Sequence, residues 1–311
     1  MATLLQVIAP VFGIMLLGFV SGKLRVLDAA GVRGLVLFVF TFAIPVLLFE
    51  GMAEMELPDD VAWGFLVAFY VASFVAYGLG MAVAVVGRRL PLDEAAIHGM
   101  GGGVSNAVLL GIPVVLTAFG EEASLPLFLI IGFHSATFLP LTIGLIQLGR
   151  GGRITASAEL RALSAAVLRN PIIVGLAAGL AANLAGVGLA GPVERFVALL
   201  GASAVPCALF AMGATLAEYP IRGMMGPALA LAAVKLVVHP ALVWVLAVPV
   251  LGLGGLEVEV AVVVAAMPSA VNVYLFGSRY RAAEEVAART VFLTSALSAV
   301  TVSVLLVAFG G

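Results

Sequence analysis

Long apolar blocks recur along this chain, each near the length that crosses a bilayer, with short polar interruptions between them. They fall near 3–21, 33–53, 61–86, 95–119, 124–148, 168–188, 192–217, 223–250, 258–280 and 287–309. A helix rises 1.5 Å per residue, so about 20 apolar residues span the hydrocarbon core. The pattern predicts an all-α integral membrane protein with ten transmembrane helices, numbered here as segments 1 to 10. One sizeable polar stretch, 150–167, is read as a cytoplasmic connecting loop between a first five-helix repeat (1–149) and a second (168–311).

Composition strengthens this reading. The chain is 63% apolar and 10% charged, whereas a soluble domain carries about 25% charged residues. The N-terminal run "MATLLQVIAPVFGIMLLGFVSG" has no Lys or Arg before its apolar part and no clear small-residue cleavage site. It reads as a first spanning helix rather than a signal peptide. A net charge of -2, with no basic patch, gives no reason to expect nucleic acid. Cys207 is the single cysteine, which excludes an internal disulfide framework and a multi-thiolate metal site. Three histidines and no His-Glu-x-x-His motif predict no metal, no cofactor and no enzymatic chemistry.

The charges set an orientation. Alternate connections collect Lys23, Arg25 and Arg33; Arg88 and Arg89; Arg150, Arg153, Arg161 and Arg169; Arg222; and Arg279, Arg281 and Arg289. Only Arg195 falls on the other side, together with Glu54, Glu56, Asp59, Asp60, Glu121, Glu122, Glu257 and Glu259. Positive connections face the cytoplasm, so both termini are expected outside, in a multi-pass plasma-membrane protein.

Five segments per half is an odd number, so the halves must be inverted relative to each other. They also share sequence features. Segment 2 contains "AIPVLLF" (Ala43 to Phe49) and segment 7 "AVPCALF" (Ala204 to Phe210). Segments 4 and 9 each hold a central proline, Pro113 and Pro268. Inverted repeats with interrupted helices at matched positions point to a transporter's binding site. A helix restarted inside the membrane aims unpaired amide donors and a partial positive charge at the interior, which suits an anion. Irregular backbone at that depth must be buried in protein or line a cavity. The candidate substrate contacts are therefore Asn106, Gly111, Ile112 and Pro113 around the first break, and Pro268, Ser269 and Asn272 around the second.

Segment 8 carries Lys235 near its middle and His239 one turn later. Segment 3, its repeat counterpart, has Ser73 and Tyr77 at the same spacing. An intramembrane ionisable residue is a functional hypothesis by default. Lys235 and His239 are thus candidates for attracting the anion, holding helices together or coupling. His134 and His98 are expected to be hydrogen-bonded packing residues. No carboxylate lies deep in a segment, which weighs against ion coupling through a buried acid, although His239 could carry a proton.

The ordered motifs "NAVLLGIPVVLTAFG", "RNPIIVGLAAGL", "LGASAVPCALFAMGATLA", "KLVVHP" and "AAMPSAVNVYLFGSRY" resemble the auxin efflux carrier family over nearly the whole chain. That family includes plant auxin exporters and bacterial permeases for malonate, malate and related acids. The resemblance implies a ten-helix inverted repeat with segments 4 and 9 broken at Pro113 and Pro268 and crossing at the midplane. It implies a scaffold of segments 1, 2, 6 and 7 that forms a homodimer, and an elevator-like transport domain of segments 3–5 and 8–10. It adds Asn170, of the Asn-Pro pair in segment 6, to the candidate contacts. Plant members carry a second Asn after that pair, where this chain has Ile172, and many carry a long central loop. Both differences favour a bacterial carboxylate carrier over an auxin exporter. The expected function is secondary transport of a small organic anion across the lipid bilayer. The alternative is a sodium- or proton-coupled symporter of the bile-acid-transporter type.

Overall fold

The computed structural model describes residues 2–58, 62–152, 168–219 and 225–309. Asp59, Asp60, Arg153, Arg161, Arg222 and most of the expected 150–167 loop lie outside them. Among the described residues every regular element is helical.

The first half runs α1 (Ala2–Lys23), α2 (Ala29–Phe38), α3 (Ile44–Glu54), α4 (Gly64–Arg88), α5 (Leu92–Gly103), α6 (Ile112–Phe119) and α7 (Ser124–Gly149). The second runs α8 (Pro171–Leu184), α9 (Gly191–Ala202), α10 (Ala204–Glu218), α11 (Met225–Ala233), α12 (His239–Val245), α13 (Leu256–Ala265), α14 (Asn272–Tyr280) and α15 (Glu284–Ala308). Among the described residues, six helices are long and apolar enough to cross a membrane: Ala29–Glu54, Gly64–Gly87, Glu121–Gly149, Gly191–Glu218, Met225–Val250 and Glu284–Ala308. Ile8–Lys23, Ala107–Phe119 and Pro171–Leu184 are shorter apolar helices.

Prolines explain where these rods are wound differently. A helical proline lacks its N–H and presses on the carbonyl four residues back. Widening one turn relieves that contact. Val39–Ala43, Ala107–Gly111 and Val234–Val238 are π-turns, and each is followed by a proline at the second residue of the next helix: Pro45, Pro113 and Pro240.

This moves one expected feature. Segment 4 is not broken at Pro113, because the π-turn before it absorbs the proline. The interruption lies upstream, where α5 stops at Gly103 and Val104 is extended. In segment 9 the helical run stops at Ala265 and resumes at Asn272, with Pro268 inside the gap.

Packing falls into recognisable pairs. α1 lies along α10 and α3 along α8, while α4 lies along α5. The second and third of these contacts depend on absent side chains. A Cβ on Gly179 of α8 would sit 2.5 Å from the Phe49 carbonyl oxygen, and one on Gly103 of α5 would sit 2.6 Å from that of Ser73. Close backbone approach through glycine is how helices associate where lipid removes the hydrophobic drive.

Candidate functional site

Each interruption satisfies the other. Ser105 and Ser269 form an isolated antiparallel bridge. The Asn106 amide donates to the Pro268 carbonyl at 2.8 Å, and the Ala270 amide donates to the Val104 carbonyl at 3.1 Å. A broken helix in hydrocarbon leaves backbone groups with no water to meet them, at several kcal/mol each. Two broken helices placed side by side remove that penalty for the pair.

Side chains from the flanking helices finish the task. The Ser105 amide donates to His134 Nε2 of α7 at 3.1 Å, and the Ser269 amide donates to Thr294 Oγ1 of α15 at 3.1 Å. Ser269 Oγ donates to the Gly101 carbonyl at 2.6 Å. Ser105, Ser269, His134 and Thr294 are all buried. His134 accepts through Nε2, so its ring proton is on Nδ1, where no partner among the described residues meets it.

The expected contacts divide into three groups. Asn106 is buried; its Oδ1 accepts from the Leu109 amide at 3.2 Å and its Nδ2 lies 3.2 Å from the Met212 sulfur. It therefore caps the restarted helix and touches α10. Gly111, Ile112 and Pro113 are buried in the first turns of that helix, where the Gly111 amide donates to the Asn106 carbonyl at 3.0 Å. Pro268 and Ser269 belong to the bridge itself, and Asn272, half-buried, is the first residue of α14. Asn170 does something else: its Oδ1 accepts from the Ile172 amide at 3.1 Å and caps α8.

Lys235 is fully enclosed, in a π-turn of segment 8. Its ammonium donates to Ser105 Oγ at 2.9 Å, to His239 Nδ1 at 3.1 Å and to the Ala265 carbonyl. Three donors meet three acceptors, so in this conformation Lys235 has no hydrogen left for a ligand. His239 Nε2 lies 2.9 Å from Ser73 Oγ, which itself donates to the Phe69 carbonyl at 2.7 Å. Ser73 must then accept from Nε2–H, which leaves Nδ1 as the acceptor for Lys235.

The sequence pattern puts Lys235, His239 and the two breaks near one another and makes His134 a hydrogen-bonded packing residue, as it is. It does not show that His134 and Thr294 serve the Ser105 and Ser269 amides or that the Gly101 carbonyl takes part. The available signal was a mid-segment polar residue on each flanking helix. A cavity of ≈ 860 Å³ opens separately, between α3 and α9 on one side and α6, α7 and α13 on the other. Glu50, Glu54, Glu56, Glu121, Glu122 and Glu257 line it.

Known proteins resemble the chain along nearly its full length. The family model described as "Membrane transport protein" matches residues 3–306. The chain is 29% identical over 310 residues to a Rhizobium meliloti (strain 1021) protein named "Putative malonate transporter", covering 98% of this chain and 96% of that one. It is 26% identical over 302 residues to an "Uncharacterized transporter" of Methanothermobacter thermautotrophicus, covering 95% of each. It is 31% identical over 108 residues to the "Lysosomal cholesterol signaling protein" of Mus musculus, which is 33% of this chain and 12% of that protein.

Proposed function

Since the chain belongs to the membrane transport protein family, the auxin efflux carriers, and is a transporter rather than an enzyme, we propose that it is a secondary carrier for a small organic carboxylate anion. Malonate or malate fits this reading better than an auxin-like acid, because the R. meliloti relative is named for malonate and Ile172 stands where plant members have Asn. The substrate binds where the two restarted helices begin, with the backbone around Gly111–Pro113 and Pro268–Ser269 and the side chain of Asn272 as contacts. Asn106 shapes the site by capping. Asn170 contributes by fixing the start of α8.

The observation that carries this is the bridge at Ser105 and Ser269 together with its symmetric supports. Ser105 and Ser269 each give their amide to a side chain of the following segment, His134 and Thr294. This correspondence supports a 5+5 inverted repeat of ten helices with segments 4 and 9 crossing. The α1–α10 and α3–α8 packing supports a scaffold of segments 1, 2, 6 and 7, with the homodimer surface on it. Segments 3–5 and 8–10 then move as one body. The distribution of Lys and Arg supports outside termini in the plasma membrane.

Counterflow in proteoliposomes tests the reading. Preloaded malonate should accelerate entry of labelled malonate, and a panel of mono- and dicarboxylates and indole acids should rank the substrates. Stabilisation by cations alone, with no response to any acid in the panel, would overturn it.

A further inference from the structure

The two breaks are built alike except around one serine. On the second, Ser269 Oγ bonds the Gly101 carbonyl directly. The equivalent pair on the first is Ser105 Oγ and the Ala265 carbonyl, and there Lys235 Nζ stands between them, donating to both. His239 Nδ1 takes its third hydrogen, and His134 holds the Ser105 amide. Three ionisable groups therefore surround one break, whereas the other is held by Ser269 and Thr294.

We infer that Lys235, Ser105 and His239 together form a site for one exchangeable proton, whose occupancy is coupled to binding of the organic anion. This rests on the carrier reading above. The bond directions let Lys235 Nζ keep its three partners through the exchange. With the proton on, the ammonium donates to Ser105 Oγ, His239 Nδ1 and the Ala265 carbonyl. With it off, the amine keeps its hydrogens on Ala265 and His239, and its lone pair accepts from the Ser105 hydroxyl after that hydroxyl rotates. The proton is the only particle gained or lost, and Lys235 Nζ keeps three partners in both states.

What separates the states is countercharge. Among the described residues no buried carboxylate exists. The remaining titratable groups on the elements packed against this turn are engaged or distant. Tyr70 and Tyr77 of α4 donate to the Ile130 and Ala96 carbonyls. Asp93, Glu94 and His98 lie in the first two turns of α5, Glu257 and Glu259 in the first turn of α13, and Glu284, Glu285 and Arg289 in the first two turns of α15. Among the described residues nothing fixed balances an ammonium at the crossing, but a bound carboxylate would. A unit charge within ~8 Å at an effective dielectric of ~20 changes proton affinity by about thirtyfold. Linkage makes the effect reciprocal: the proton favours the anion by the same factor. The carrier then moves anion and proton in the same direction.

Lys23 and Lys235 are the only lysines in the sequence, so a Lys23→Arg protein labelled with 15Nζ-lysine reports Lys235 alone. In nanodiscs, its signal should titrate between amine and ammonium, and the midpoint should rise by about one pH unit or more with saturating malonate, malate or indole-3-acetate. In proteoliposomes, an internal pH dye should record acidification accompanying entry of the labelled acid. Lys235→Arg keeps the charge but holds its proton, so it should bind the acid with the pH dependence lost. Binding of an acid without any movement of the lysine titration overturns the coupling alone. Absence of binding by every acid overturns the carrier reading and the coupling with it.

Discussion

Ser269→Ala isolates the energetics of the bridge. The substitution deletes one hydroxyl that is fully buried and bonded at 2.6 Å to the Gly101 carbonyl. That carbonyl belongs to the last turn of α5. Its helical partner would be the Ser105 amide, but that amide is turned to His134. Without Ser269 the buried carbonyl loses its donor among the described residues. Interhelical side-chain bonds in membrane proteins average ~0.6 kcal/mol, because the unfolded chain in lipid finds other partners. An orphaned buried acceptor costs more, about 1–3 kcal/mol. The bridge pins the Gly101 region on both sides, so the second figure applies.

At roughly 2 °C per kcal/mol for a chain of this size, a loss of ~2 kcal/mol lowers the melting temperature by about 4 °C. Thermal unfolding in detergent, followed by near-ultraviolet circular dichroism, measures it. Ser295→Ala is the matched control. Ser295 is equally buried and bonded at 2.6 Å to the Val291 carbonyl, but both lie inside α15, where that carbonyl already has its helical partner. Its variant should melt within ~1 °C of the parent. Equal shifts for the two variants would refute the claim that Ser269 is the sole donor to an otherwise orphaned carbonyl.

Other outcomes rest on single features. Gly103→Ala drives a methyl to 2.6 Å from the Ser73 carbonyl oxygen and should cost about 1–3 kcal/mol, seen as loss of monodisperse protein in fluorescence-detected size exclusion. Gly34→Ala in α2 meets nothing within 4 Å and should be neutral or stabilising by up to ~1 kcal/mol in the same assay. Asn106→Asp keeps the oxygen that caps Leu109 but brings a negative charge to the restarted helix. It should fold while losing at least about tenfold in anion affinity by thermal-shift titration. Six glutamates line the ≈ 860 Å³ cavity; under the proposed orientation, with both termini outside, it faces outward, so raising external salt should improve the external apparent affinity for a dianion more than for a monoanion, as screening predicts.

Much of this architecture is legible in the residues themselves. Hydropathy alone points to a multi-pass helical membrane protein, and six of the described helices are long and apolar enough to cross. The matched "AIPVLLF" and "AVPCALF" motifs and the pair Pro113 and Pro268 are the residues on which the proposed inverted repeat rests. The position of the first break is not legible. A proline marks a helix under stress, but not whether the stress is relieved by a π-turn or by unwinding. In segment 4 the run "GMGGGVSN" decides it: glycines end α5 against the α4 backbone, and Asn106 caps the restarted helix. The roles of His134 and Thr294 are hidden for a related reason. Each serves a backbone amide about 25 to 29 residues away, and no local pattern records that pairing.

The same reasoning explains why Lys235 can sit in a membrane with no acidic partner among the described residues. A buried cation needs its hydrogens satisfied and its charge balanced, and these are separate demands. Interrupted backbone meets the first cheaply, because carbonyls such as Ala265 point away from a helix end with no amide to meet them. It contributes less to the second, since a carbonyl carries only a partial charge. A fixed glutamate nearby would meet both and would hold the lysine permanently charged. Leaving the balance to a mobile anion makes the charge conditional on the ligand. A structural clasp would gain from the glutamate, whereas a coupled carrier needs its absence. Introducing an acid beside Lys235, as in Ser105→Asp, which replaces the hydroxyl that Lys235 Nζ meets at 2.9 Å, should therefore uncouple transport from pH while leaving the backbone bridge of the crossing folded. Uptake of labelled acid measured across a pH series checks this, and an unchanged pH dependence in that variant would refute it.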